Sequence, residues 1–238
     1  MVIQIQKRVL CQQLREGRRR NIVINIEEWM EVYQRTVLEA FGSRVLFIGI
    51  QGSYARGEAT DRSDIDVVFI LDKMEFADLE TYREITAGLP GRELLCGFVA
   101  GRKELEGWDK ADLFQFFFDT KSVYGQLENL LAIPTENDAR KAVSVGACNL
   151  YHACSHNYLH AKSPEVLASL YKSARFVLQA AYFCESGRYA AHYYELKECL
   201  KENEKAILET AMQAEQINEK TFDNFSQLLL EWASDLIC

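Results

Sequence analysis

The chain has 238 residues and a mass of 27.3 kDa, enough for one large domain or two modest ones. With 48% apolar and 26% charged residues, wholesale disorder is excluded. A net charge of −8 argues against a general nucleic-acid binder, which needs a basic face to neutralise phosphates.

Residues 1–20 run against that acidic balance. They carry Lys7, Arg8, Arg15, Arg18, Arg19 and Arg20 against Glu16 alone, and read as a solvated basic segment. No apolar stretch followed by a small-residue cleavage site marks the start of the chain for secretion. The longest apolar runs, such as residues 67–71, stop far short of the roughly 18–20 residues of a membrane span. Cys11, Cys96, Cys148, Cys154, Cys184, Cys199 and Cys238 show no CxxC pair and read as reduced thiols. The expectation is a cytoplasmic protein that engages neither membrane nor nucleic acid.

Asn25 can cap a helix with Glu28 at the capping-box position and Trp29, Val32, Tyr33 and Val37 on one face; Gly42 ends it. Residues 45–50 and 67–71 read as buried strands flanking a Gly/Ser/Asp-rich turn. Residues 75–87 suit an amphipathic helix, stopped by Gly88 and Pro90. Residues 94–100 are a third strand candidate, and 113–118 a fourth or else a buried helical turn. Past Pro134 the strand signal vanishes, and helical periodicity covers about 136–161, 164–185, 190–214 and 221–236. This is an α+β chain: a mixed sheet with flanking helices in a domain of residues 1–133, then an all-α helical bundle in residues 134–238.

The chemistry concentrates in one segment, Gly52-Ser53-Tyr54-Ala55-Arg56-Gly57 and then Ser63-Asp64-Ile65-Asp66 running into a strand. Gly52 lets backbone approach a ligand, Ser53 adds a hydroxyl, and the backbone amides of such a turn cradle phosphate. Asp64 and Asp66, two apart at a strand start, share one face. Two neighbouring carboxylates repel each other unless a cation joins them. They suit Mg²⁺, which often takes one or two protein carboxylates plus substrate phosphates. A triphosphate cradle beside such a pair is equipment for phosphoryl or nucleotidyl transfer.

The order strand, Gly-Ser, helix, Ser-Asp-x-Asp, strand resembles the polymerase-beta-like nucleotidyltransferase superfamily, in its minimal and antibiotic-modifying branches. The helical half is similar in layout to the C-terminal bundle of the aminoglycoside enzymes and to HEPN-type bundles. The resemblance implies that Gly52 and Ser53, with Ser63 nearby, hold the triphosphate, and that Asp64 and Asp66 bind Mg²⁺ or Mn²⁺. Arg56 is either a phosphate partner or a surface charge on the short helix. It implies transfer of an NMP group, from ATP or another nucleoside triphosphate, to a hydroxyl, with pyrophosphate released. The acceptor would be a small molecule such as an aminoglycoside or, alternatively, a partner protein; a degenerate nucleotide-binding relative is the third reading. Two-domain relatives also suggest a homodimer. The family usually carries a third carboxylate on a later strand. Here the middle of that strand is Cys96, leaving Glu93 at its edge and Asp119 after the Phe116–Phe118 run as the candidates.

Two other patterns stand apart. Cys148, His152, His156 and His160 recur every four residues along one predicted helix. Such histidines can share a metal, but one helix rarely converges more than two ligands, and the stripe reads as facing a neighbouring helix or the cleft. Gly187-Arg188-Tyr189 with Tyr193 and Tyr194 marks a helix junction whose tyrosines could stack on a base or sugar, or simply pack.

Overall fold

The computed structural model describes residues 24–60 and 63–238. The basic segment of residues 1–20 and Cys11 lie outside the described residues. The fold is α+β and forms two compact units. Of the described residues, one holds 24–60, 63–108 and 116–133; the other holds 109–115 and 134–238.

Among the described residues the first unit is built on a four-stranded sheet. Helix α1 (Ile26–Phe41) leads into β1 (Val45–Gln51), the short helix α2 (Gly52–Arg56), β2 (Ile65–Leu71), α3 (Phe76–Thr86), β3 (Leu95–Gly101), α4 (Arg102–Glu106), α5 (Lys110–Asp119) and β4 (Lys121–Tyr124). Strand β1 pairs antiparallel with β2 and with β4, and β2 pairs parallel with β3. Asn25 caps α1 by accepting from the Glu27 amide, but Glu28 takes the Asn25 side-chain amide at 2.7 Å rather than closing a capping box.

Trp29, Met30, Tyr33, Val37 and Phe41 bury one face of α1 against Ile48, Ile50, Ile65, Val67, Phe69 and Leu71. Burying each such side chain contributes about 1.5–3 kcal/mol, so this face holds the helix to the sheet. Trp29 Nε1 donates to the Pro90 carbonyl at 2.7 Å, and the Tyr33 and Tyr82 hydroxyls meet at 2.9 Å. Burial pushes the Tyr82 phenol up to about 12. Arg44, just before β1, grips both Asp78 carboxylate oxygens at 2.7 and 2.9 Å, tying the strand to α3.

Residues 113–118 belong to helix α5, not to a strand. Leu113, Phe114 and Phe116 are buried at helical spacing, so the apolar run is a buried helix. The fourth strand is β4, whose residues are all exposed; an edge strand without apolar alternation carries no sequence signal.

The second unit comprises α6 (Glu136–His156), a π-turn (Asn157–Ala161), α7 (Pro164–Ser186), α8 (Tyr193–Cys199), α9 (Glu202–Met212) and α10 (Phe222–Ile237). Thr135 and Ser163 cap α6 and α7, Pro164 opens α7, and Gly187 closes it in the left-handed region. Leu150, Cys154, Leu167, Leu170, Tyr171, Val177, Leu208 and Leu229 form its core. Burial pushes the Cys154 thiol up to about 11.

The periodic stretch 190–214 is not one helix. The carbonyls of Ala190 and Ala191 are taken by the buried side chains of Gln179 and Arg175, which keeps 190–192 out of the helix. Leu200 then turns extended and buries, and Lys201 restarts the chain into α9. Tyr189 packs edge-on to Phe114, Tyr193 lies under the Arg175 guanidinium at 3.8 Å, and Tyr194 is exposed. The stripe at Cys148, His152, His156 and His160 is solvent-exposed at every position rather than turned against a neighbouring helix. Among the described residues no helix is long and apolar enough to cross a membrane.

Candidate active site

The site forms where β1 runs out into α2 and β2 begins. Gln51, the last residue of β1, lies across from Asp66, and Asp66 lies across from Cys96 on the other side of β2. Asp66 is therefore bracketed by both neighbouring strands. Asp64 sits one alternation earlier, and both carboxylates are half-buried.

Gly52 has φ +71°, a left-handed conformation that side chains rarely adopt. A β-carbon there would overlap Asp66 Oδ2. Two independent constraints thus select glycine: the left-handed backbone, and the turn backbone lying directly against the Asp66 carboxylate. Gly57, which ends α2, has φ +69° but open space at the β-carbon position. The turn is braced from below by Gln51, buried, whose amide donates to Thr120 Oγ1 at 2.7 Å and to the Phe116 carbonyl at 3.2 Å.

Arg56 is not a surface charge. Its side chain is 9% exposed, with Nε on Glu58 at 2.9 Å and Nη1 on Asp119 at 3.1 Å. It ties the helix that follows the Gly-Ser turn to the end of α5. Asp119, buried, is engaged in that tie. Ser63 accepts from the Thr60 amide at 2.9 Å and returns its own amide to the Thr60 carbonyl at 3.0 Å, closing the loop that delivers Asp64. Glu93 is exposed in a tight turn before β3. Because Leu95 registers with Ile65 in parallel, Glu93 sits at the Asp64 end of the strand pair. Burial pushes the Tyr54 phenol up.

Gly52, Ser53, Asp64 and Asp66 are brought to one end of the sheet, while Asp119 meets Arg56. Among the described residues no third His, Cys, Asp or Glu joins the aspartates in a group able to hold a metal. Two hard carboxylates beside a glycine cradle nevertheless fit Mg²⁺ in the mode where substrate phosphates complete the shell. Sequence reasoning missed Gln51, Glu58 and Thr120, isolated polar residues without pattern. It also missed Gly97, at φ +146°, where a β-carbon would overlap the Val67 backbone, so β3 closes tightly on β2 beside Cys96.

The profile of the nucleotidyltransferase domain matches residues 33–113, which span β1 to β3 and include Gly52, Ser53, Asp64 and Asp66. The chain is 37% identical over 68 residues to the protein adenylyltransferase MntA of Thermococcus cleftensis, covering 27% of this chain and 67% of that protein. The chain belongs to the nucleotidyltransferase family. As a nucleotidyltransferase it is an enzyme that transfers nucleotidyl groups. Spectinomycin adenyltransferase AAD(9) from Enterococcus faecialis, solved with ATP and spectinomycin, matches 85% of this chain and 98% of its own. The TM-score is 0.50 at 13% identity, a likeness of fold alone.

Proposed function

We propose that this nucleotidyltransferase moves AMP from ATP to a hydroxyl of a small cationic acceptor of the aminoglycoside kind. The observation that carries the reading is the Gly52 backbone lying against the Asp66 carboxylate without room for a β-carbon. Such contact puts a phosphate-cradling turn and a hard-cation ligand side by side. ATP as the donor is supported by the two relatives, both named adenylyltransferases. A cationic acceptor is supported by the net charge of −8, which raises the local concentration of cations.

In this reading Gly52 and Ser53 hold the triphosphate and Ser63 keeps the loop closed. Asp64 and Asp66 hold Mg²⁺ or Mn²⁺, which would neutralise the developing phosphate charge. The acceptor oxygen bonds to the α-phosphorus, the bond to the bridging oxygen breaks, and pyrophosphate leaves with that electron pair. The acceptor proton must go to a base. Cys96 occupies the place opposite Asp66, and Asp119 is buried in an ion pair with Arg56. We assign proton acceptance to Glu93, at the Asp64 end of β3. Residues 1–133 form the catalytic domain in this proposal, followed by the helical bundle of residues 134–238.

A second reading, a protein acceptor, is favoured by the 37% identity to MntA. Incubation with α-labelled ATP decides between them. Label should pass to a member of an aminoglycoside and aminocyclitol panel. Label appearing only on polypeptide in a lysate would assign the protein acceptor, and pyrophosphate release with neither would reject both.

A further inference from the structure

The histidine stripe of the helical unit has a geometry that the transfer reaction does not use. His152, His156 and His160 are all solvent-exposed. The His152 and His156 ring centres are 6.3 Å apart, whereas those of His156 and His160 are only 4.6 Å apart.

The difference has a backbone cause. Four residues overrun an α-helical turn of about 3.6, so successive side chains drift around the helix. After His156 the chain widens into the π-turn Asn157–Ala161, closed by the Lys162 amide on the Asn157 carbonyl at 2.7 Å. In this wider turn four residues fall slightly short of a full turn instead of overrunning it, so the drift reverses after His156, and the His160 ring lies nearer to His156 than the His152 ring does. The turn is built in. Asn157 is 2% exposed, its amide donates to the Ser163 carbonyl at 3.0 Å, and its Oδ1 accepts from the Ser163 amide at 3.1 Å. The chain leaves through Lys162 at φ +49°, a left-handed conformation for a residue with a side chain.

We propose that His156 and His160 form a two-nitrogen chelate for a borderline divalent transition ion such as Zn²⁺ or Ni²⁺. With metal–nitrogen bonds of about 2.0–2.1 Å, two imidazoles on one ion place their ring centres about 4.5–5.2 Å apart, from right-angled to tetrahedral coordination. The 4.6 Å pair meets this and the 6.3 Å pair does not. Among the described residues no set of three or more such ligands forms, so water completes the shell. Imidazole donors select Zn²⁺, Ni²⁺ and Cu²⁺, whereas the Asp64 and Asp66 oxygens select Mg²⁺, and the two sites are chemically distinct.

The test is calorimetric titration of the full chain with Zn²⁺ in excess Mg²⁺. The wild type should bind one Zn²⁺ per chain. His156→Ala and His160→Ala should each weaken binding by about tenfold or more. His152→Ala, Cys148→Ser and Asp66→Asn should stay within about twofold of wild type. In parallel, Ni²⁺ should broaden the imidazole resonances of His156 and His160 before that of His192. Absence of Zn²⁺ binding by the wild type, or wild-type binding by either alanine variant, overturns the proposal. The Asp66→Asn arm separates this outcome from any failure of the transferase reading.

Discussion

Gly52→Ala perturbs the site with one carbon atom, and the structure sets out what that atom meets. It must tolerate φ +71°, a left-handed state costing about 1–2 kcal/mol for a residue with a β-carbon. It must also push the turn away from the Asp66 carboxylate, whose Cγ would lie only 3.2 Å from the new methyl. Gly57→Ala is the matched control. It carries the same conformational cost at φ +69° with nothing in contact. In urea denaturation Gly57→Ala should therefore lose only the conformational cost, and Gly52→Ala that cost plus whatever displacing the turn adds. Only Gly52→Ala should lose transfer, because separating the cradle from the carboxylate by around an ångström costs about 10²-fold in kcat/KM, or ~2.7 kcal/mol. The assay is pyrophosphate release under steady-state conditions with ATP binding followed by calorimetry. Equal kcat/KM for wild type and Gly52→Ala, or equal losses in the two alanine variants, would refute the steric argument and place the triphosphate elsewhere.

Asp64→Asn and Asp66→Asn should each abolish transfer while the melting temperature holds or rises, since each removes a mutual repulsion; retained turnover in either would sink the metal assignment. Asp119→Ala should cost up to about 3 kcal/mol in urea denaturation, because it leaves Arg56 buried with Glu58 as its remaining ion-pair partner of the two described here. Glu93→Gln should spare stability and ATP binding but slow kcat by about 10²–10⁴-fold, as loss of a general base does; the reverse pattern in the two variants would make Asp119 the base. The Arg44 pair holds the Asp78 carboxyl below its ordinary range. A depressed carboxylate contributes stability that is complete above its unfolded value and is lost as pH falls through the folded one. Urea midpoints should therefore decline below about pH 4 in the wild type and less so in Asp78→Asn, a difference whose absence would count against the pairing.

The core of the site was legible in the chain because its parts are local. A strand, a Gly-Ser turn, a short helix and Ser-Asp-x-Asp span residues 45–71, and alternation alone puts Asp64 and Asp66 on one face. That no carboxylate stands across from Asp66 on the third strand was equally legible, since strand spacing puts Cys96 at the middle position and the register sets Cys96 opposite Asp66. Helix ends at Asn25, Ser163 and Gly187 follow from capping chemistry, which involves only a few neighbouring residues.

Only the tertiary structure decided the rest. Residues 113–118 are equally apolar as strand or helix, and their packing selects the helix. Periodicity runs unbroken through 190–214, yet Arg175 and Gln179 reach across from another helix and take the backbone carbonyls that would have continued it. Arg56 finds Asp119 across 63 positions of sequence, a pairing that turns an apparent surface charge into a buried tie. Gly52 looked like a phosphate-turn glycine from its neighbours, but the atom that forbids a side chain there belongs to Asp66. Local pattern encodes which residues bury and where elements end, because those depend on periodicity and on a few adjacent dihedrals. Which partner a buried polar group meets depends on how elements are brought together, and that information is held by the fold as a whole.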